Sequence, residues 1–155
     1  MKTLAAIAIL ASLAAGVCDG KQPHCTFRLH TEANASDGAP FSTQIRSPFT
    51  GKNVAIEKIP AISENDVVAF QVYQAADKTF GVLVQLNDHG RLALDSLSVE
   101  RRGTLLFVFV NGRPITELQI DRRVSDGKIY IASGLTINDI GAMRKDWLLV
   151  GPEKK

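Results

Sequence analysis

Three histidines, two cysteines and a scatter of serines are the side chains through which this chain could do chemistry. A hydroxyl nucleophile needs a base within hydrogen-bond reach and a third group to orient that base. Asp88 and His89, with Ser96 or Ser98 on the stretch that follows, are the residues able to supply such a set. Asp88 has a competing role, because an Asp before a periodic segment caps a helix by accepting from its free N–H groups. Capping accounts for Asp88 and leaves His89 as a solvated first-turn residue. A non-enzyme is therefore the main reading, with a small secreted hydrolase using Asp88, His89 and a nearby serine as the alternative. Carboxylates are scattered singly, without the close pair that glycosidases use. There is no phosphate loop, nucleotide fingerprint or metalloprotease helix. His24 and His30 flank Cys25, but that spacing matches no compact zinc pattern, so no metal or cofactor is expected.

Cys18 and Cys25 are the only cysteines, and their compartment decides their chemistry. Lys2 is followed by the uncharged stretch Thr3 to Leu13 and then by the small residues Ala14, Ala15 and Gly16. That order is the order of a secretory leader, with cleavage after Gly16 placing Ala14 and Gly16 where small side chains are required. The apolar stretch ends at Val17, short of the ~20 residues that span a bilayer. Export would bring both thiols into an oxidising compartment and favour a Cys18–Cys25 disulfide closing a small terminal loop. Lipidation of Cys18 is the minority reading, because Val17 stands where a small residue is usual. Membrane association is expected only if the leader is retained or Cys18 is lipidated.

The formal charge is +2, with 22% charged and 45% hydrophobic residues. Such a balance gives no concentrated basic face for nucleic acid. Arg101-Arg102 and Arg122-Arg123 are the basic pairs that could meet an acidic peptide or an anionic headgroup. They are interleaved with Glu100, Asp121 and Asp126, as on an ordinary solvated face.

Periodicity supplies the elements that would position these residues. Thr26 to Ala33, Phe41 to Ile45 and Asn53 to Ile59 read as short strands, with a loop over Asn34 to Pro40. Val67 to Tyr73 and the alternating Phe80, Val82, Val84, Leu86 form a hairpin. His89 to Arg102 reads as a helix capped by Asp88 and stopped by Gly103, with Leu94 and Leu97 on its apolar side. The run Leu105 to Val110 is apolar throughout, as in a central strand buried on both faces. Asn111-Gly112 turns it into a return strand over Ile115 to Ile120. Ile129 to Ala132 is a last strand. Thr136 and Asp139 then start a closing helix with Ile137, Ile140, Met143 and Trp147 on one side.

Taken together the pattern is α+β: an antiparallel sheet with two helices on one face. The order and spacing of several pieces resemble the periplasmic head subdomain of the SecD/SecDF protein-export subunit. The pieces are Ser63-Glu64-Asn65-Asp66, the helix ending at Arg102-Gly103, and the hydrophobic strand entering Asn111-Gly112-Arg113. Asp126-Gly127-Lys128-Ile129-Tyr130-Ile131-Ala132-Ser133-Gly134-Leu135-Thr136 then leads into the helix that carries Asp139. The chain departs from the family pattern at Glu117-Leu118-Gln119-Ile120, where a proline is usual, and at Gly141, where alanine is usual. It also lacks the family's many membrane helices. The resemblance implies a SecD-head-like fold and an extracytoplasmic setting, periplasmic or secreted, and does not by itself imply a proton-driven motor. It divides the chain into a leader (1–16), an N-terminal extension (17–61), a SecD-head-like domain (62–148) and a tail (149–155). The partner implied is a protein or peptide of unidentified sequence, held by the sheet face the helices leave open or by an edge strand.

Overall fold

The computed structural model describes residues 22–34 and 36–151. Nine strands and three helices follow one another in these residues: β1 (Phe27–Thr31), α1 (Gly38–Phe41), β2 (Ser42–Arg46), β3 (Asn53–Glu57), β4 (Val67–Gln74), β5 (Phe80–Leu86), α2 (Asp88–Glu100), β6 (Leu105–Val110), β7 (Arg113–Gln119), β8 (Lys128–Leu135), α3 (Ile137–Asp146) and β9 (Leu148–Leu149). The α+β class with antiparallel pairing is as the patterning predicts. The sheet, however, is divided. One sheet has the order β1-β6-β7, a second is the β2-β3 hairpin, and the third has the order β8-β5-β4-β9. Only β9 runs parallel to its neighbour, pairing Ala69 with Leu148 and Phe70 with Leu149.

Strand β1 shows why a boundary at residues 61 and 62 does not separate two cores. Its alternation turns Phe27, Leu29 and Thr31 inward, and Phe27 and Leu29 are completely buried. It pairs along its whole length with β6, from Phe27 opposite Val110 to Thr31 opposite Leu106. One hydrophobic cluster therefore runs from Cys25 and Phe27 through Val82, Val84 and Leu94 to Ile140, Met143 and Trp147. Phe27 meets Trp147 edge to face at 6.4 Å. Each such side chain, moved from water, contributes roughly 1.5–3 kcal/mol.

The continuous apolar run of β6 has a direct explanation. Leu106, Val108 and Val110 point into the main core, while Phe107, out of phase with them, points to the opposite face and is still 1% exposed. The β2-β3 hairpin covers that opposite face. Its ties go to the residues flanking Phe107 in the ladder, His30 on one side and Glu117 on the other. The His30 Nδ1 lies 2.7 Å from the Glu57 carbonyl oxygen, and the Ser47 hydroxyl bonds the Glu117 carboxylate. Arg101 reaches Glu57 at 2.7 Å. Ile56 is buried in this satellite layer.

The helices follow their start signals, with one shift. The side chain of Asn87, not Asp88, caps α2 by accepting from the Gly90 N–H at 2.9 Å. Asp88 lies inside the first turn, exposed, 3.5 Å from Arg91. Thr136 and Asp139 form the reciprocal capping box expected at α3. Ile140, Met143 and Trp147 line its buried side, whereas Ile137 is 64% exposed, contrary to the stripe read from spacing. The loop expected over 34–40 holds the start of the four-residue α1. Ser63 to Asp66 closes a second capping box on a single 3-10 turn rather than a long helix.

Two glycines are fixed by geometry. Asn111 and Gly112 take φ of 50° and 75°, the paired left-handed conformation of a tight hairpin turn. Opposite Gly81, β8 bulges between Ile131 and Leu135, and a Cβ there would lie 2.4 Å from the Ala132 carbonyl oxygen. The bulge interrupts the regular pairing along β8, which resumes with Phe80 opposite Leu135.

Candidate functional site

Strands β7 and β8 are consecutive edge strands of different sheets, and no ladder joins them. They approach at one end, where an ideal Cβ on Gly134 would lie 3.0 Å from the Ile115 methyl Cγ2. At the other end lies an open groove of about 630 Å³. Leu118 of β7 and Leu83 and Tyr130 of the other sheet form its walls, with Leu29, Leu94 and Leu106 beneath. The loop 120–127 makes the rim. It is fastened to α2 by Arg123, which grips Asp95 through two hydrogen bonds of 2.6 and 2.8 Å. The Val124 N–H donates to the Ser98 hydroxyl at 2.9 Å. These hydrogen bonds and charges hold the Asp95 carboxyl below its usual pKa range and Arg123 above its own.

Leu83 and Lys128 also line a second hollow of about 440 Å³ on the face of the four-stranded sheet turned away from the core. Alternation puts Gln71, Tyr73, Leu83, Gln85, Lys128 and Tyr130 on that face, while Phe70, Val82, Val84, Ile129 and Ile131 point inward. Tyr73 and Tyr130 meet edge to face at 6.1 Å, and both are exposed. Groove and open face are thus continuous across Leu83 and Lys128. The groove volume is of the size that binding clefts occupy, with apolar walls and a polar rim that carries Asp121, Arg122, Arg123, Asp126 and Lys128.

The residues singled out from sequence are not gathered into one centre. Of the basic pairs, Arg101 is spent on Glu57 and Arg123 on Asp95. Arg102 and Arg122 are exposed and make no ion pair among the described residues, and of the four only Arg122 and Arg123 stand on the groove rim. Asp88 turns to Arg91, away from His89, whose Nδ1 lies 2.7 Å from Asp66 Oδ1. The Ser98 hydroxyl donates to the Asp95 carbonyl at 2.8 Å, and Ser96 is exposed. Asp88, His89 and a serine therefore do not converge, and the hydrolase set is not assembled. Cys25 is wholly buried, and burial, reinforced by Asp139 and Asp146, pushes its thiol up to about 12. That thiol is a core atom, not a nucleophile. Cys18 lies outside the described residues, as does the leader.

Sequence reading missed the polar network that fixes the turn between β6 and β7. Asp139 Oδ2 accepts from the Thr136 N–H at 2.8 Å, the Thr136 hydroxyl at 2.7 Å and Arg113 Nη2 at 2.6 Å. Its Oδ1 accepts from the Asn111 side-chain Nδ2 at 2.8 Å, and the Asn111 side-chain Oδ1 accepts from the Thr26 N–H at 3.2 Å. Burial works to raise the Asp139 pKa, but the hydrogen bonds from Thr136, Asn111 and Arg113 outweigh it and hold the carboxyl low. Asp66 is similar: burial opposes, while Ser63 and His89 hold it below the carboxylate range. Asp146, bonded by His24 and by the Cys25 N–H, pins the start of β1. The capping signatures marked Asp139; nothing local marked Asn111 and Arg113 as its partners.

No family model and no curated protein matches the sequence. Solved structures do. The chain is similar to a structure described as a membrane component SecDF that enhances protein export, with a TM-score of 0.55 and 11% identity. That match covers 80% of this chain and 63% of the other. It is also similar to the crystal structure of SecDF in a super-membrane-facing form, with a TM-score of 0.55 and 11% identity over 81% of this chain. There the chain spans 19% of the SecDF protein. The SecD-head-like fold implied by the motifs is therefore the fold observed. The matched share also exceeds the segment from 62 to 147 on which the resemblance rests. Among the described residues no helix is long and apolar enough to cross a membrane.

Proposed function

We propose that this chain is a non-catalytic extracytoplasmic module that holds a stretch of extended polypeptide, in the service of protein export or the handling of envelope proteins. The groove between β7 and β8 carries the reading. It sets Leu83, Leu118 and Tyr130 beside an apolar floor and beneath a charged rim, a lining that suits the mixed side chains of an unfolded segment. Its fold is similar to that of a part of SecDF, whose description names enhancement of protein export. The leader expected from the sequence of residues 1–16 supports the reading, since export would put the chain on the same side of the membrane as its proposed substrate. The exposed tyrosine pair beside the groove adds rigid, amphipathic contact area of the kind binding surfaces use.

The test is a titration of the chain against a fluorescein-labelled polypeptide kept unfolded by reduction and carboxymethylation. Anisotropy should rise with saturable binding, and Leu118→Asp or Tyr130→Asp should weaken it at least about tenfold by placing a charge in the apolar wall. A control, Leu92→Asp on the exposed side of α2, should not. Absence of binding, or equal affinity in all three variants, ends the proposal.

A further inference from the structure

We propose that the bound polypeptide is held as an added β-strand, hydrogen-bonded to the free edge of β8 over residues 128–132. This rests on the groove-binding reading and specifies how the segment is recognised. The register of β8 against β5 decides which backbone groups face the groove. The Leu86 N–H donates to the Gly127 carbonyl at 2.8 Å. With Val84 opposite Ile129 and Val82 opposite Ile131, the hydrogen-bonded pairs alternate with the pairs Gln85–Lys128 and Leu83–Tyr130. Lys128 and Tyr130 therefore direct their N–H and C=O away from β5, toward the groove. The Lys128 N–H is already taken, by the Asp126 carboxylate at 3.1 Å. The Lys128 carbonyl and both backbone groups of Tyr130 have no ladder partner among the described residues.

Both ends of this edge are set by the fold. Past Ala132 the bulge opposite Gly81 breaks the ladder, the Gly134 N–H is held by the Thr79 hydroxyl at 2.8 Å, and Ile115 closes in from β7. At the start, the Asp126 bond and the rim loop 120–127 stop the edge. The free stretch accommodates a few residues of an extended chain and no more. In strand conformation the alternate side chains of such a segment would turn down toward Leu29 and Leu94 or out to solvent. An occupant with apolar residues at every second position thus matches edge and floor at once. Main-chain bonding supplies affinity without regard to sequence, and the floor selects only for alternation. Those are the terms on which a handler of many different unfolded chains must bind. Lys128 and the bulge are also devices that keep a free edge from pairing with a second copy.

Two measurements on the chain, with a synthetic peptide alternating valine and threonine, test this. The first is amide hydrogen exchange followed by NMR. The Tyr130 N–H should exchange fast in the free protein and slow at least about tenfold when peptide saturates, as exchange tracks a newly made bond. The second compares peptides N-methylated at alternate residues. The set whose N–H groups face β8 should bind about tenfold more weakly, from losing bonds worth roughly threefold to tenfold each. The other set should bind as the parent does. Saturable binding of the unmodified peptide with an unchanged Tyr130 exchange rate, or with both methylated sets equal to it, overturns strand addition and leaves groove binding standing. Failure of the unmodified peptide to bind refutes both.

Discussion

Replacing Asp139 by Asn tests the polar network that holds the β6-β7 turn and the start of α3 together. The carboxylate accepts four hydrogen bonds, from the Thr136 N–H and hydroxyl, Asn111 and Arg113, and it is 4% exposed. An amide keeps the shape but has one acceptor atom and one donor group, so the donors on one side are left facing a donor. The Arg113 pair is discounted, since its side chain is half exposed. A capping loss of about 1 kcal/mol and one or two unmade buried bonds give about 2–3 kcal/mol in all. At this size that lowers the melting temperature by roughly 8–12 °C. The pH dependence carries the sign. Because the folded pKa of Asp139 is depressed, its stabilisation is complete above the unfolded value near ~3.9 and disappears as pH falls through the folded one. Urea unfolding at pH 7 and at pH 2.5 should therefore show a wide gap between parent and variant that shrinks in acid. A gap under about 0.5 kcal/mol at pH 7, or one equally wide in acid, refutes the reasoning.

Other perturbations have equally definite outcomes. Phe107→Ala should cost about 3–5 kcal/mol in urea unfolding, because the hairpin β2-β3 buries that ring outside the main core. Gly81→Ala should prevent folding or shift the unfolding midpoint sharply, since its Cβ would lie 2.4 Å from the Ala132 carbonyl; a midpoint equal to the parent's would mean that the bulge yields. Arg123→Ala breaks only an exposed clamp. It should leave the unfolding midpoint in place while raising exchange at the Val124 N–H, which the loop otherwise holds against Ser98. Iodoacetamide at pH 8 should not modify Cys25 in the folded chain, with its thiol pushed up to about 12, and should do so readily in denaturant; peptide mass mapping reads the difference.

Much of this fold is local and so was readable along the chain. Strands β4 to β8 announce themselves by alternation or by an unbroken apolar run, and Asn111-Gly112 dictates its own turn. The capping boxes at Ser63 and Thr136 are set by residues three apart, which is why both appear in sequence. What sequence could not carry is non-local. Nothing in Phe27 to Thr31 says that it will pair with β6 across the whole domain, so the sequence left open whether residues 17–61 join the same sheet. The split between β7 and β8, which belong to different sheets, and the bulge opposite Gly81, about fifty residues away along the chain, have no local signature. The groove follows from that split, and so was invisible. Charge pairing is non-local in the same way: nothing beside Arg101 or Arg123 in sequence marks Glu57 and Asp95 as their partners.

The most direct test of polypeptide holding is site-specific photocrosslinking to the labelled, permanently unfolded chain. A benzophenone side chain at position 118, on the groove wall, should capture the probe in proportion to occupancy, and excess unlabelled polypeptide should compete the adduct away. The same group at position 99, on the exposed side of α2, should capture little. Equal yields at 118 and 99, or an adduct at 118 that competitor does not reduce, would contradict a groove built to hold unfolded chain.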